Sequence, residues 1–382
     1  MYCMDFSYNE EQQDIIKVVR DLVEKEIVPY AGEMDEQAKI RDGLLDKLAA
    51  QGLLGVAIPE EFGGAGLDAV TIAGIYEELG KGCAGIATTV AANALASYPV
   101  IIAGNDDQKK QYFDIICQDK LAAFALTEPG VGSDAGAVAT SAKKTEDGKG
   151  YILNGTKCFI TNGALAEVFV IFANTRKSAG IRGLTAFIVR KGTPGFTVGK
   201  EENKMGIRAS NTTELIFQDC FIPIENRLGR EGHGFRIAMN TLDAARPFVG
   251  SISVGIAEAA FRACGEYAKV RQQFGKPIAS FEMVQGMIAD MAMKVEGARL
   301  LVQRACWMKD QGMEFSREAA IAKCNASDVA MEVTVNAVQV MGGYGYMKEY
   351  PVEKYMRDAK IMQIYEGTNQ IQRLVIANKT LY

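Results

Sequence analysis

Between Tyr8 and about Asp119, apolar residues recur every three or four positions, as in Ile15, Val18, Val19, Leu22 and Val23 and later in Leu45, Leu48 and Leu53. That spacing aligns one face of a helix, so the segment is read as helical. "IPEEFGGAGLD" (Ile58 to Asp68) interrupts it with a proline and a glycine cluster, the marks of a turn-rich loop. From Leu121 to about Leu228 the pattern changes to short apolar or alternating runs: "AAFALT", "GYILNGTKCFITNG", "EVFVIFAN", "LTAFIVR" and "TELIFQDCFI". Gly, Asn, Asp and Pro punctuate these runs, which predicts an antiparallel β domain. After Gly232 long helical patterns return, in "SISVGIAEAAFRACGEYAKVRQQFG", "EMVQGMIADMAMKVEGARLLVQRACWMK" and "AAIAKCNASDVAMEVTVNAVQVMGG", with lengths that suit a helical bundle. The expected organisation is mainly α with a central β domain: helical over 1–119, β over 120–230 and a bundle over 231–382. A chain of 382 residues accommodates such a division, since a domain takes roughly 150 residues.

Composition narrows the function classes. Hydrophobic residues make up 48% and charged residues 23%, an ordinary folded globular balance. A net charge of -5 supplies no general basic field for nucleic acid or an anionic membrane, so neither is expected as a partner. The start, "MYCMDFSYNEEQQDIIKVV", lacks a basic segment followed by an unbroken apolar stretch, and no later window approaches 18 unbroken apolar residues. The protein is read as cytoplasmic and without membrane insertion. Its eight cysteines contain no C-x-x-C pair and are read as buried, reduced thiols. The single histidine, His233 in "REGHGF", lies between glycines and is read as a loop residue. A Ser-His-Asp arrangement would have to use it, and no H-E-x-x-H motif or second histidine offers a metal site, so no metal is expected.

Candidate chemistry concentrates in five stretches. "QIYEGTNQIQ" places Glu366 among apolar neighbours with no basic residue in the run. On a helix from Val352, the residues Val352, Tyr355, Ala359, Met362 and Glu366 share one largely apolar face. Gly367 is expected to end that helix in a left-handed conformation, and Thr368 to cap a second helix carrying Ile371, Leu374 and Val375. A carboxyl at this break feels burial and the negative helix end, both of which raise its pKa from about 4.3 towards neutrality and suit it to act as a general base. A glutamate paired with an arginine, or turned to solvent, is the bland alternative.

"LTEPGVGSDAG" (Leu126 to Gly136) contains a G-x-G-x-x-A match at Gly130, Gly132 and Ala135, but no helical pattern follows, so a dinucleotide fingerprint is disfavoured. It reads as a tight turn that exposes backbone and the Thr127 and Ser133 hydroxyls to a ligand, or simply as a turn. In "KCFITNG", Phe159 and Thr161 alternate with Ile160 and are expected on one face of a strand, against a planar ring system or as core. "VRQQFG" is expected to end a long helix with Arg271 and Phe274 as neighbours, able to clamp a nucleotide diphosphate or merely solvated. "VQVMGGYGYMKEYPVEK" adds Gly342, Gly343 and Gly345, consistent with close approach of a partner or ligand.

In this order, "LTEPGVGSD", "FITNG", "RQQFG" and "PVEKYMRDAKIMQIYEGTNQIQR" resemble the acyl-CoA dehydrogenase family over practically the whole chain, with the likeness greatest to its short-to-medium straight-chain members. The resemblance implies a helical N-terminal domain, an antiparallel β domain and a C-terminal four-helix bundle, assembled as a homotetramer with one FAD per subunit. It implies FAD-dependent oxidation of an acyl-CoA to the trans-2-enoyl-CoA, as in fatty acid β-oxidation, with electron-transferring flavoprotein as electron partner. An acyl-CoA oxidase or an enoyl-CoA reductase on the same scaffold is the nearest alternative, and a scaffold that has lost catalysis a more distant one.

By the same resemblance, Glu366 is the base that takes the α proton while hydride leaves the β carbon for FAD. Phe124, Leu126, Thr127, Gly132 and Ser133 match the flavin-binding turn, with Ser133 also near substrate. Phe159, Ile160 and Thr161 match the strand against the flavin ring. Arg271, Phe274, Gln339, Val340, Gly342 and Gly343 match contacts to the FAD of a neighbouring subunit, and Thr368, Asn369 and Gln370 match further cofactor contacts. Asp243 and Arg246 in "LDAARPF", with Tyr365 and Gly367, match the substrate site. Four positions depart from the pattern. Ala245 stands where some relatives carry their base, Phe159 where many have Trp, and Ala87 and Ala91 where larger polar groups often line the acyl pocket.

Overall fold

The computed structural model describes residues 6–382, so Cys3 lies outside the described residues. Six helices come first: α1 (Glu10–Leu22), α2 (Ala31–Gln37), α3 (Leu44–Ala50), α4 (Ala69–Gly82), α5 (Ala84–Ala103) and α6 (Asp106–Ile116). Local sequence sets several of their starts. Asn9 with Gln12 and Asn105 with Gln108 form reciprocal capping boxes, and the Asp68 carboxylate accepts from the Thr71 N–H.

Strands follow as β1 (Leu121–Ala125), β2 (Ser141–Lys144), β3 (Gly150–Thr161), β4 (Ala166–Asn174), β5 (Leu184–Arg190), β6 (Phe196–Glu201), β7 (Thr212–Pro223) and β8 (Arg227–Leu228). They build one sheet in the order β6-β7-β3-β2-β4-β5-β8, with β1 also paired to β4. Most neighbours are antiparallel, as expected, but β1 and β2 run parallel to β4. Apolar runs carry no direction, and here the chain leaves β1 and returns to β4 through intervening strands rather than a hairpin.

The C-terminal part holds α7 (Gly234–Val270), the small strands β9 (Gln272–Gln273) and β10 (Lys276–Pro277), then α8 (Glu282–Asp310), α9 (Ser316–Met341), α10 (Val352–Met362) and α11 (Asn369–Leu381). One core cluster runs from α1 and α4 through α7, α8 and α9, and two more pack the faces of the sheet. Helices α5 and α7 are long and apolar enough to cross a membrane, yet 72% of the most apolar stretch of each is buried inside the protein. Six of the seven described cysteines are buried; Cys117 is the exception, exposed just beyond α6. His233 precedes α7 at its N-cap position.

Two expectations about helix ends are corrected. "VRQQFG" is helical only at its first residue, so Arg271 and Phe274 are not neighbours on a helix face: α7 stops at Val270, and Phe274 and Gly275, with φ of 52° and 77°, turn a two-residue hairpin between β9 and β10. Positive φ at both central residues is the geometry such hairpins require, though Asn-Gly is its usual signal and Phe-Gly is not. Likewise α10 does not reach Glu366; it ends at Met362.

Candidate active site

The site begins with a gap in the sheet. β1 and β2 occupy successive stretches of one edge of β4, β1 ending opposite Ile171 and β2 entering opposite Asn174. The chain between them, residues 126–140, must therefore leave the sheet. A buried ion pair anchors this loop. Lys157, on β3 and fully buried, donates to the Glu128 carboxylate at 2.7 Å and to the Leu126 carbonyl at 3.0 Å, while Glu128 also accepts from the N–H groups of Ala139 and Thr140. Burial pulls the Lys157 ammonium down to about 8, which leaves it protonated at neutral pH beside its partner.

Just after Leu126, Glu128 and Val131 exchange backbone hydrogen bonds across Pro129-Gly130, closing a tight turn. No dinucleotide-type helix follows it; β2 does. β3 is itself irregular where it faces the gap. Its pairing with β7 shifts register between Lys157 and Ile160, and Phe159 has φ of 58°. The bulge re-aims the strand and leaves the Phe159 ring 64% exposed.

Behind the gap lies a cleft with about 1120 Å³ of atom-free space including its open mouth, at the upper end of what a small-molecule site takes, roughly 300–1,000 Å³. α5 contributes Thr88, Ala91, Ala92 and Leu95; α7 contributes Met239, Leu242, Arg246, Val249 and Ile252. Phe124, Leu126, Thr127, Gly132 and Ser133 line it from β1 and the loop, and Phe159, Ile160 and Thr161 from β3. Tyr365, Glu366, Gly367 and Ile371 complete it. Among the described residues, Glu366 and Arg246 are the only charged side chains on this surface.

Glu366 reaches the cleft because the chain folds back after α10. The N–H groups of Ile364 and Tyr365 both bond to the Ile361 carbonyl, Glu366 and Gly367 adopt φ of 53° and 96°, and the Asn369 N–H closes the turn on the Gln363 carbonyl. Left-handed backbone at a glutamate is strained and persists only when its surroundings enforce it. Here the buried Gln372 amide donates to the carbonyls of Glu366 and Gly367 at 3.2 and 3.0 Å, and the buried Lys323 ammonium donates to the Gly367 carbonyl at 2.8 Å. Gly367 has no room for a side chain, since an added Cβ falls 2.5 Å from the Gln372 amide nitrogen. Gly367→Ala is expected to lower stability by about 1–3 kcal/mol in urea unfolding, from the positive φ and the lost Gln372 contacts.

Part of Glu366 is open along the cleft, but its Oε2 is sealed and without a partner among the described residues. Burial raises its pKa from 4.5 to about 7, against the opposing pull of the Lys323 and Arg246 charges. The expected helix-end contribution is replaced by burial, because α10 stops four residues earlier. Arg246 is itself buried and ion-paired to Asp243, with its Nε unpartnered among the described residues. The Tyr365 hydroxyl lies 3.4 Å from the Thr88 hydroxyl and 3.0 Å from the Met362 sulfur.

Not every sequence candidate gathers here. Arg271, Val340, Gly342 and Gly343 line a second, open hollow beside Tyr267 and Tyr344, with the Arg271 guanidinium 5.3 Å over the Tyr344 ring. Phe274 is 92% exposed, and Gln339 and Gln370 are exposed as well. Thr368 caps α11 through the Ile371 N–H, as expected. Asn369 is buried: its amide donates to the Cys324 carbonyl, Ser327 and Asp328, and its oxygen accepts from Lys323, so its side chain is committed inside the protein. Asp243 reaches the cleft only through Arg246.

Sequence reasoning missed Met239, Leu242, Val249 and Ile252 as lining, because nothing in their spacing separates them from the other apolar residues of α7 that pack in the core. It also missed Lys323. The signal was present: Ala319, Ala320, Ala326 and Ala330 flank it at helical spacing, so a lone cation stands on a buried alanine face.

Three family models match the chain in succession: "Acyl-CoA dehydrogenase, N-terminal domain" over 9–120, "middle domain" over 123–220 and "C-terminal domain" over 232–381. Among relatives, the short-chain-specific acyl-CoA dehydrogenase of Megasphaera elsdenii is 48% identical, over 99% of this chain and 100% of its own. Acryloyl-CoA reductase (NADH) of Anaerotignum propionicum is 47% identical, over 99% and 96%. Among solved structures, butyryl-CoA dehydrogenase from Megasphaera elsdenii superposes with a TM-score of 0.97 at 47% identity, covering 99% and 100%. A chain from a structure of the electron transferring flavoprotein of Acidaminococcus fermentans superposes with a TM-score of 0.96 at 48% identity, covering 99% and 100%.

Proposed function

The chain belongs to the acyl-CoA dehydrogenase family, whose FAD-dependent oxidation of acyl-CoA thioesters is its activity, and on that premise we propose that Glu366 is the base that takes the C2 proton of a short, straight-chain acyl-CoA. The observation that carries this reading is a carboxyl oxygen sealed in an apolar cleft without a partner among the described residues, poised by burial to ionise at about 7. A base tuned close to the working pH combines a usable ionised fraction with proton affinity.

The cleft fits a flavin. Phe159 presents an uncovered ring face, the sheet is parted over 126–140, and added Cβ atoms at Gly130 and Gly132 meet nothing within 4 Å, so backbone can approach a ligand there. FAD, when bound, supplies the acceptor for the C3 hydride. On this reading Phe124, Leu126, Thr127, Gly132 and Ser133 hold it from one side, Phe159, Ile160 and Thr161 border its ring, and Thr368 and Gln370 lie at the turn after the base. The Glu366 N–H has no acceptor among the described residues, which leaves it free to donate to the thioester carbonyl as negative charge builds there. Tyr365, Gly367 and Ser133 border the acyl group, while Arg246, oriented by Asp243, supplies positive charge beside the carboxylate.

The enzyme's partners are acyl-CoA, electron-transferring flavoprotein and further copies of itself in a tetramer. The hollow at Arg271, Val340, Gly342 and Gly343, with exposed Phe274 and Gln339 near it in the chain, is assigned to the FAD of a neighbouring copy. The reading divides the chain at 1–119, 120–230 and 231–382. It places the protein in the cytoplasm, in keeping with seven described cysteines that are all free.

A short acyl group is favoured by the likeness to a short-chain-specific acyl-CoA dehydrogenase and a butyryl-CoA dehydrogenase; Leu95, Val249 and Ile252 line the apolar part of the cleft, and the last two belong to the same core as the packed rings of Tyr76, Phe248 and Tyr98. The test is anaerobic mixing of flavin-loaded protein with butyryl-CoA at a series of pH values. Flavin colour is expected to bleach with formation of trans-2-butenoyl-CoA, at a rate that rises with pH through a midpoint of about 7, because only the ionised base can take the proton. Bleaching by NADH, with butyryl-CoA inert, would instead assign the reductive direction.

A further inference from the structure

The buried cation of Lys323 has no part in the chemistry described so far. Lys323 lies on α9, fully buried, and its Nζ reaches across to the turn that carries the base, donating to the Gly367 carbonyl at 2.8 Å and to the Asn369 side chain at 3.0 Å. Asn369 in turn is tied to the Cys324 carbonyl, Ser327 and Asp328 of α9. The ammonium therefore bridges the helix and the residue after the base. No carboxylate forms an ion pair with it among the described residues, because Asp328 is paired with Arg373. An ammonium buried without its own carboxylate is expensive, and a hydrophobic residue would pack the alanine face at lower cost.

Resting on the assignment of Glu366 as base, we propose that Lys323 is its positioning residue: it clamps the Glu366–Gly367 turn through the Gly367 carbonyl and supplies positive charge that favours the carboxylate form of the base. Several charged or titratable groups face this pair. Around Glu366 stand Arg246 with Asp243 from α7, Lys323 from α9, and the phenols of Tyr76, Tyr98 and Tyr365; around Lys323 stand Glu366, Cys324, Asp328 and Arg246. Burial brings the Lys323 ammonium down to about 8, so it is still cationic where Glu366 titrates. Arg246 supplies a second positive charge, but it is neutralised by Asp243, whereas Lys323 is not neutralised by an ion pair.

The test compares Lys323→Met, Lys323→Gln and Lys323→Arg in the flavin-loaded protein. Loss of the charge is expected to move the acid limb of kcat against pH upward by about one unit, so that kcat at pH 6 falls about tenfold while the high-pH plateau stays within about threefold of wild type. KM for butyryl-CoA is expected to change little, the infrared titration of the Glu366 carboxyl to move by the same unit, and Lys323→Arg to keep the wild-type limb. Lys323→Gln retains a donor for the Gly367 carbonyl without the charge, and separates the electrostatic part if Lys323→Met folds poorly. An unmoved limb in both neutral variants, whether kcat is unchanged or uniformly lower, overturns the proposal. Such a result leaves the base itself untouched, since Glu366→Gln reports on that separately.

Discussion

Glu366→Gln is expected to lower kcat by at least about a thousandfold at about pH 8, where the wild-type base is ionised, while the protein still binds FAD and butyryl-CoA. The glutamine amide matches the carboxyl in shape but cannot accept the proton, and a positioned general base contributes typically 10²–10⁴-fold. The loss should sit at the upper end of that range, because Glu366 and Arg246 are the only charged side chains lining the cleft among the described residues. The same substitution is expected to stabilise the fold. A carboxyl whose pKa rises from 4.5 to about 7 on folding binds a proton more tightly when folded, so its contribution to stability falls as pH climbs through that window. The cost is fully present above about 7 and is on the order of 3 kcal/mol at about 1.4 kcal/mol per unit. Urea unfolding of Glu366→Gln should therefore match wild type near pH 4 and exceed it at pH 8. A variant less stable than wild type at pH 8 would show that the carboxylate has a stabilising partner after all.

Lys157→Met is expected to be the most damaging single change away from the base. It leaves Glu128 buried at 5% exposure with two backbone donors but no cation. Removing one partner of a buried pair typically costs about 3–5 kcal/mol, because the remaining charge is stranded. Here the stranded carboxylate sits at the base of the 126–140 loop, which carries Thr127, Gly132 and Ser133. Chemical unfolding should record the loss, and the purified protein should hold less than one FAD per chain. Replacing Glu128 by Gln in the same background should recover much of the stability, since no ion is then left unpaired. A loss below about 1 kcal/mol in the single variant would mean that water or loop movement solvates Glu128, and that the pair does not anchor the site.

The helical and strand-rich zones were legible because periodicity reports burial, and Val19, Val23, Leu48 and Leu53 are buried as their spacing marks them, although Val18 is exposed and Ile16 takes its place in the core. Glu366 was legible as an acid in apolar surroundings. Its exact perch was not, because Ile361 to Tyr365 are all compatible with a continuing helix. What stops α10 is tertiary: Gln372 and Lys323 hold the carbonyls of a turn that only packing against α9 and α11 makes favourable. "RQQFG" was misread for a related reason, since Phe-Gly supplies a hairpin turn that normally announces itself as Asn-Gly. At Phe159 the alternation of "CFIT" suggested a plain strand, whereas the register shift that exposes the ring depends on pairing with β7. The bonds that tie the Asn369 side chain inside the protein were not legible, since they need Lys323 and Ser327 in place.

The account depends on a carboxyl that burial, rather than a partner, holds near neutrality. Infrared titration of wild type against Glu366→Gln isolates its protonated carboxyl band. A band that disappears with a midpoint of about 7 is the predicted result; one that is already gone by pH 5, as for a solvated carboxylate, would contradict it.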